Sequence, residues 1–179
     1  MAGGRPGGEG DNREGNGMKS RTIAEFVALL LAALSAGVLF GTRTALGPST
    51  KGFTPRTYVE VQQATVRNLR PVMGALLPGA VAANLALVAL RARARRSPAF
   101  ALTLAGLLAQ LAALVITALV ELPLNARVLT WAPDEPPAGW EAARDRWATA
   151  HTARTAAAVA GLGCLLAATL VAPARPDGD

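Results

Sequence analysis

The stretch "AFALTLAGLLAQLAALVITALVELPLNARVLTW" (Ala99–Trp131) decides the fold. From Ala99 to Val120 it is built almost wholly of Ala, Leu, Val and Ile, and it reaches the length of about 20 apolar residues that a helix needs to cross a bilayer. Gln110, near the middle, is the kind of residue that hydrogen-bonds a neighbouring helix in lipid. The stretch closes on Glu121 and Asn125, four positions apart, which share one face if the helix survives Pro123.

Three other stretches have the same length and character: Ile23–Thr42, Val72–Leu90 and Thr155–Ala172. Composition agrees, since 51% of the 179 residues are hydrophobic but only 4% are aromatic, so that the apolar mass is Ala, Leu and Val. These patterns predict an all-α, integral membrane four-helix bundle of the cell membrane, with a short helix in the first long loop and an extended fourth helix. Residues 1–21 read as a disordered tail, 22–173 as the transmembrane domain and 174–179 as a C-terminal tail. The tail is rich in Gly and charge and cannot bury a core. Lys19 and Arg21 precede an apolar run that is too long for a signal-peptide core and has no small-x-small site after it, so the run reads as an uncleaved first helix.

The chain has 18 Lys+Arg against 12 Asp+Glu. This excess sits in segments flanking the spans, as in "RARARR" (Arg91–Arg96), where it meets lipid headgroups and sets topology; nucleic acid is not an expected partner. An even number of spans puts both tails and the "RARARR" link on one side, but the basic residues divide evenly between the sides. The shortness of that link places it in the cytoplasm. Eight residues join the second and third spans, which makes those helices antiparallel neighbours (from Arg91 to Pro98).

Within the first span Gly37 and Gly41, four apart, form a small-xxx-small face suited to close helix approach. "GPSTKGFT" then breaks the helix, and "TPRTYVEVQQATVRNLR" reads as the short helix, with Thr54 as cap, Pro55 in its first turn, and Tyr58, Val61, Thr65 and Leu69 on one side. The second span carries Pro78-Gly79, which predicts a kink, and Asn84. One cysteine excludes an internal disulfide, and Cys164 reads as a small packing residue.

"WEAARDRWATAHTAR" (Trp140–Arg154) follows the rigid turn "APDEPPAG" and holds the only histidine and two of the three tryptophans. At about 100° per residue, Trp140, Arg144, Trp147, His151 and Arg154 fall within an arc of about 80°. No breaker separates this stripe from the fourth span, so His151 and Arg154 enter the membrane facing the bundle. One reading makes the tryptophans an interfacial belt and the arginines snorkelling cations. The other takes ionisable residues at membrane depth as marks of a site, here a polar pocket shared with Glu121 and Asn125. Composition leaves both open.

Pro123, Asn125, Trp131, Trp140, Trp147, His151 and Arg154, read as P-x-N, W, W, W-x3-H-x2-R, resemble the anthrone oxygenase-like family of small four-helix membrane proteins, whose bacterial members are mostly a domain of unknown function. Gly37 followed by Pro48 resembles its first-helix pattern, and the likeness runs from Ile23 to Ala172. The resemblance implies a monooxygenase that turns an anthrone into a quinone with O2, as in aromatic polyketide biosynthesis. Such chemistry needs a base, donors for an enolate and a dry pocket, and no metal or organic cofactor. His151 fits the base, Arg154 and Asn125 the enolate donors, and Trp140 and Trp147, with Arg144, Trp131 and Glu121, the surfaces that bind a fused-ring substrate. A facial-triad metal centre takes two histidines and a carboxylate, and this chain has one histidine. The rival reading is a non-catalytic accessory protein or lipophilic-ligand binder, as a monomer or an oligomer.

Overall fold

The computed structural model describes residues 8–172, and the expected tails over 1–7 and 174–179 lie outside them. Five α-helices follow in order: α1 (Gly8–Leu46), α2 (Pro55–Arg91), α3 (Pro98–Ile116), α4 (Leu122–Val128) and α5 (Trp140–Leu170). No strand occurs among the described residues, and four helical segments are long and apolar enough to cross a membrane: Ser20–Gly52, Pro55–Ala94, Pro98–Val128 and Trp140–Leu170. The third of these is α3 and α4 joined by a π-helical turn, Thr117–Glu121. The protein is thus an all-α, multi-pass membrane helix bundle, as composition predicted. Helix α1 begins at Gly8, inside the stretch expected as a disordered tail.

Each long helix touches the next around a ring, α1 to α2, α2 to α3, α3 to α5 and α5 to α1, which is the up-and-down arrangement that short links impose. Lipid tails are as apolar as leucine, so helices in a bilayer associate by close packing. On α1 that packing uses Ala28, Ala32, Ser35, Ala36 and Leu39, a stripe at helical spacing. Gly37 and Gly41 are exposed, and a Cβ added at either meets nothing within 4 Å. The close approach expected of them occurs instead between α3 and α5, where a Cβ on Gly106 lies 3.1 Å from the Gly161 carbonyl oxygen and one on Gly161 lies 3.2 Å from that of Gly106. Beside this crossing Asn84 Nδ2 donates to Gln110 Oε1 at 3.3 Å, so Gln110 bonds a neighbouring helix as its position suggested. Cys164 on α5 is a half-buried free thiol.

The residues expected to form a separate short helix are the first turns of α2, which runs on through Pro71 and Pro78. A proline removes one N–H and crowds one carbonyl, a loss that neighbouring groups make good in membrane helices. Thr54 caps α2, its hydroxyl accepting from Thr57 N at 3.2 Å. The buried face of these turns is Tyr58, Val59, Gln62, Gln63 and Val66, while Thr65 and Leu69 turn toward a cavity. At the other end of the bundle Arg91 is buried, pairs with Glu25 of α1 at 2.6 Å and donates to Thr103 of α3. That cluster ties three helices beside the "RARARR" link.

Candidate functional site

Pro123 explains the local geometry from which the site begins. Its nitrogen cannot donate to the carbonyl one turn earlier and its ring crowds that carbonyl. Just before it the helix widens into the π-turn Thr117–Glu121, a feature often found at functional sites. Glu121 points into the bundle with 0% exposure. Asn125, one turn on, also faces inward.

Helix α5 meets this face from the opposite side. It starts after Gly139, whose φ of 79° is a left-handed conformation that a side chain disfavours, so the turn before Trp140 needs glycine. Trp147, His151 and Arg154 then lie buried toward α3 and α4, as their angular spacing predicted. Arg154 Nη2 stands 2.9 Å from Glu121 Oε2, and His151 Nδ1 stands 3.6 Å from Glu121 Oε1. Arg154 also donates to His151 Nδ1, from Nε at 3.2 Å and Nη2 at 2.8 Å, and from Nη1 to Thr117 Oγ1 at 3.2 Å. His151 Nε2 lies 3.2 Å from the Leu39 carbonyl oxygen of α1, and the His151 carbonyl accepts from Thr155 Oγ1 at 2.6 Å. The Trp147 and His151 rings stack at 4.6 Å and 7°. Trp147 Nε1 donates to Asn125 Oδ1 at 3.1 Å.

These groups line one wall of a cavity of about 610 Å³. The remaining walls are mostly apolar: Leu39, Val66, Leu69, Met73, Leu77, Leu114 and Leu129 among others. Arg70, Gly74 and Pro78 of α2 and Leu122 and Ala126 of α4 line it too and are themselves exposed, so the cavity opens sideways between α2 and α4. Gly74 and Pro78 lie within the second apolar stretch, which puts part of that opening at bilayer depth.

Of the candidate site residues, the fold brings Glu121, Asn125, Trp147, His151 and Arg154 to the cavity and leaves Trp131, Trp140 and Arg144 outside it. Trp140 packs on Tyr58 with ring centroids 5.3 Å apart, and the Arg144 guanidinium sits 5.2 Å over the Trp140 ring. Trp131 offers its backbone carbonyl to Gln63 Nε2 at 2.9 Å. Gln63 also donates to the Val128 carbonyl at 3.0 Å, satisfying a buried carbonyl at the C-terminal end of α4. Sequence reasoning missed Thr117, although it lies one turn before Glu121 on the same face, and the Leu39 carbonyl, which carries no residue signal at all. His151 and Glu121 are the metal-ligand types here, and no group of three or more His, Cys, Asp and Glu suited to a metal occurs among the described residues.

A buried ion pair with a histidine, set into the wall of an apolar cavity within a multi-pass membrane bundle, defines a membrane protein with an intramembrane polar site. A family model described as anthrone oxygenase matches residues 64–164, more than half of the chain and all of this wall except Leu39, and the chain belongs to the anthrone oxygenase family. No curated protein and no solved structure matches it.

Proposed function

We propose that this protein binds a flat, lipophilic polycyclic phenol from the cell membrane and oxygenates it with O2 at an activated CH2 to give a quinone, without a metal or organic cofactor. The observation that carries the reading is the charged cluster of Glu121, His151 and Arg154 on a wall of an otherwise apolar cavity. Ionisable groups at membrane depth are costly and mark function. A volume of about 610 Å³ falls in the usual range for a small-molecule site, about 300–1,000 Å³.

Each residue supports one part of that chemistry. The stacked Trp147 and His151 rings give a flat surface for fused rings. An indole N–H only donates, so the Asn125 atom facing Trp147 is its oxygen, and the amide NH2 is left to donate to a substrate oxygen in the cavity that Asn125 lines. Arg154 brings positive charge to the same wall, where it stabilises an enolate. Trp140, Arg144 and Trp131 act at one remove, by fixing the ends of α2, α4 and α5 against one another.

The test is oxygen uptake by purified protein in lipid nanodiscs with an anthrone, before and after chelation. Uptake matched by quinone formation and unchanged by the chelator is expected. Activity lost on chelation and restored by iron or copper overturns the cofactor-free reading. Binding of the anthrone with no oxygen uptake leaves a lipophilic-ligand-binding protein instead.

A further inference from the structure

We propose that Glu121, rather than His151, is the base that takes the substrate proton; the inference rests on the oxygenase reading above. The tautomer of His151 follows from its neighbours. A guanidinium has donors only, so the Nδ1 that receives Arg154 Nε and Nη2 presents a lone pair. The ring proton is then on Nε2, where the Leu39 carbonyl accepts it at 3.2 Å. Both nitrogens are committed, one to a cation and one to α1. To act as a base His151 must give up Arg154.

Glu121 is placed the other way. It is fully buried, it lines the cavity, and apart from its ion pair with Arg154 neither of its carboxylate oxygens has a hydrogen-bond partner among the described residues. Arg154 Nη2 stands 2.9 Å from Oε2 as its counter-charge and 2.8 Å from His151 Nδ1. Oε1 faces the His151 Nδ1 lone pair at 3.6 Å, which gives it no donor. A buried carboxylate oxygen without a donor is costly, and here the proton it lacks is one that a ligand in the cavity can supply. Glu121 is the last residue of the π-turn that precedes Pro123.

The step balances as follows. A substrate C–H bond breaks, its proton goes to a Glu121 oxygen, and its electron pair moves to the substrate oxygen held by Asn125. O2 accepts the electrons and bonds to the carbon, and Glu121 returns its proton to the peroxide. Loss of water leaves the carbonyl, so that CH2 and O2 become C=O and H2O. Glu121 ends as it began. His151 is a positioning residue in this scheme: its Nδ1 holds Arg154 beside Glu121.

Proton removal can be read without oxygen, as exchange of the anthrone CH2 hydrogens for deuterium in anaerobic D2O, above the spontaneous rate. Glu121→Gln should lower protein-catalysed exchange and oxygen uptake together by about 10²- to 10⁴-fold, the usual worth of a general base, with anthrone still quenching the protein's tryptophan fluorescence. Glu121→Asp keeps the charge and the fold but draws the carboxylate back by one methylene, and it should lose at least about tenfold. It carries the test if Glu121→Gln does not fold. His151→Asn keeps an acceptor for Arg154 and should recover much of the exchange lost in His151→Ala. Wild-type exchange retained by Glu121→Gln or Glu121→Asp overturns the assignment and leaves the oxygenase reading intact. So does a folded His151→Asn as inactive in exchange as Glu121→Gln. Wild-type protein that binds an anthrone but catalyses neither exchange nor oxygen uptake overturns both.

Discussion

Replacing Arg154 by Met tests whether the ion pair is as buried as its geometry states. Met keeps most of the aliphatic stem and removes the charge, leaving Glu121 at 0% exposure with its counter-ion gone. Breaking one half of a buried pair costs about 3–5 kcal/mol, because the remaining charge is uncompensated. The lost bonds to His151 Nδ1 and Thr117 Oγ1 add less, about 0.5–1.5 kcal/mol each, and the Thr117 hydroxyl still donates to the Ala113 carbonyl at 2.8 Å. The expected total is about 4–8 kcal/mol, a large share of the roughly 5–15 kcal/mol by which proteins are stable. Glu121→Gln combined with Arg154→Met leaves no stranded charge and should recover about 2–3 kcal/mol of it. Arg154→Lys should fall between, keeping a charge but not the planar fork that reaches His151, Thr117 and Glu121 together. The assay is unfolding in mixed micelles, followed by far-ultraviolet circular dichroism. A loss under about 1 kcal/mol in Arg154→Met, or no coupling in the double variant, refutes the buried-pair reasoning.

A Cβ on Gly74 meets nothing within 4 Å, and Gly74 lies on the lip of the cavity, so Gly74→Trp should raise the KM for a bulky substrate about tenfold or more while the melting temperature changes little. Gly106→Val pushes a branched side chain at the Gly161 carbonyl, where even a Cβ sits 3.1 Å away, and should cost about 1–3 kcal/mol in the same unfolding assay. Single cysteines placed at the exposed Arg95 and Glu135, in a Cys164→Ser background, should label from opposite sides of the membrane; labelling of both from one side refutes the order of spans.

Helix content, the number of spans and the inward stripe of α5 were all legible in the sequence. Each follows from local periodicity and from the demand that a chain in lipid satisfy its own backbone. Trp147, His151 and Arg154 share a face because a helix turns about 100° per residue, whatever surrounds it. Motif spacing reached the family for the same reason, since Pro123, Asn125 and the α5 residues lie close along two helices.

What those residues touch was decided only by tertiary structure. Gly37 and Gly41 carry the same pattern that Gly106 and Gly161 do not, yet the second pair makes the close crossing, because spacing says nothing about which face meets a neighbour. Trp140 and Arg144 fit the stripe but spend themselves on Tyr58 and on each other, since α5 extends past the cavity toward the loop end of α2. The surroundings of His151 include a backbone carbonyl of Leu39, more than a hundred positions away, and an arginine one turn along the same helix. Sequence supplies an imidazole that can be a base. Only the fold sets what each ring nitrogen faces, Arg154 at Nδ1 and the Leu39 carbonyl at Nε2.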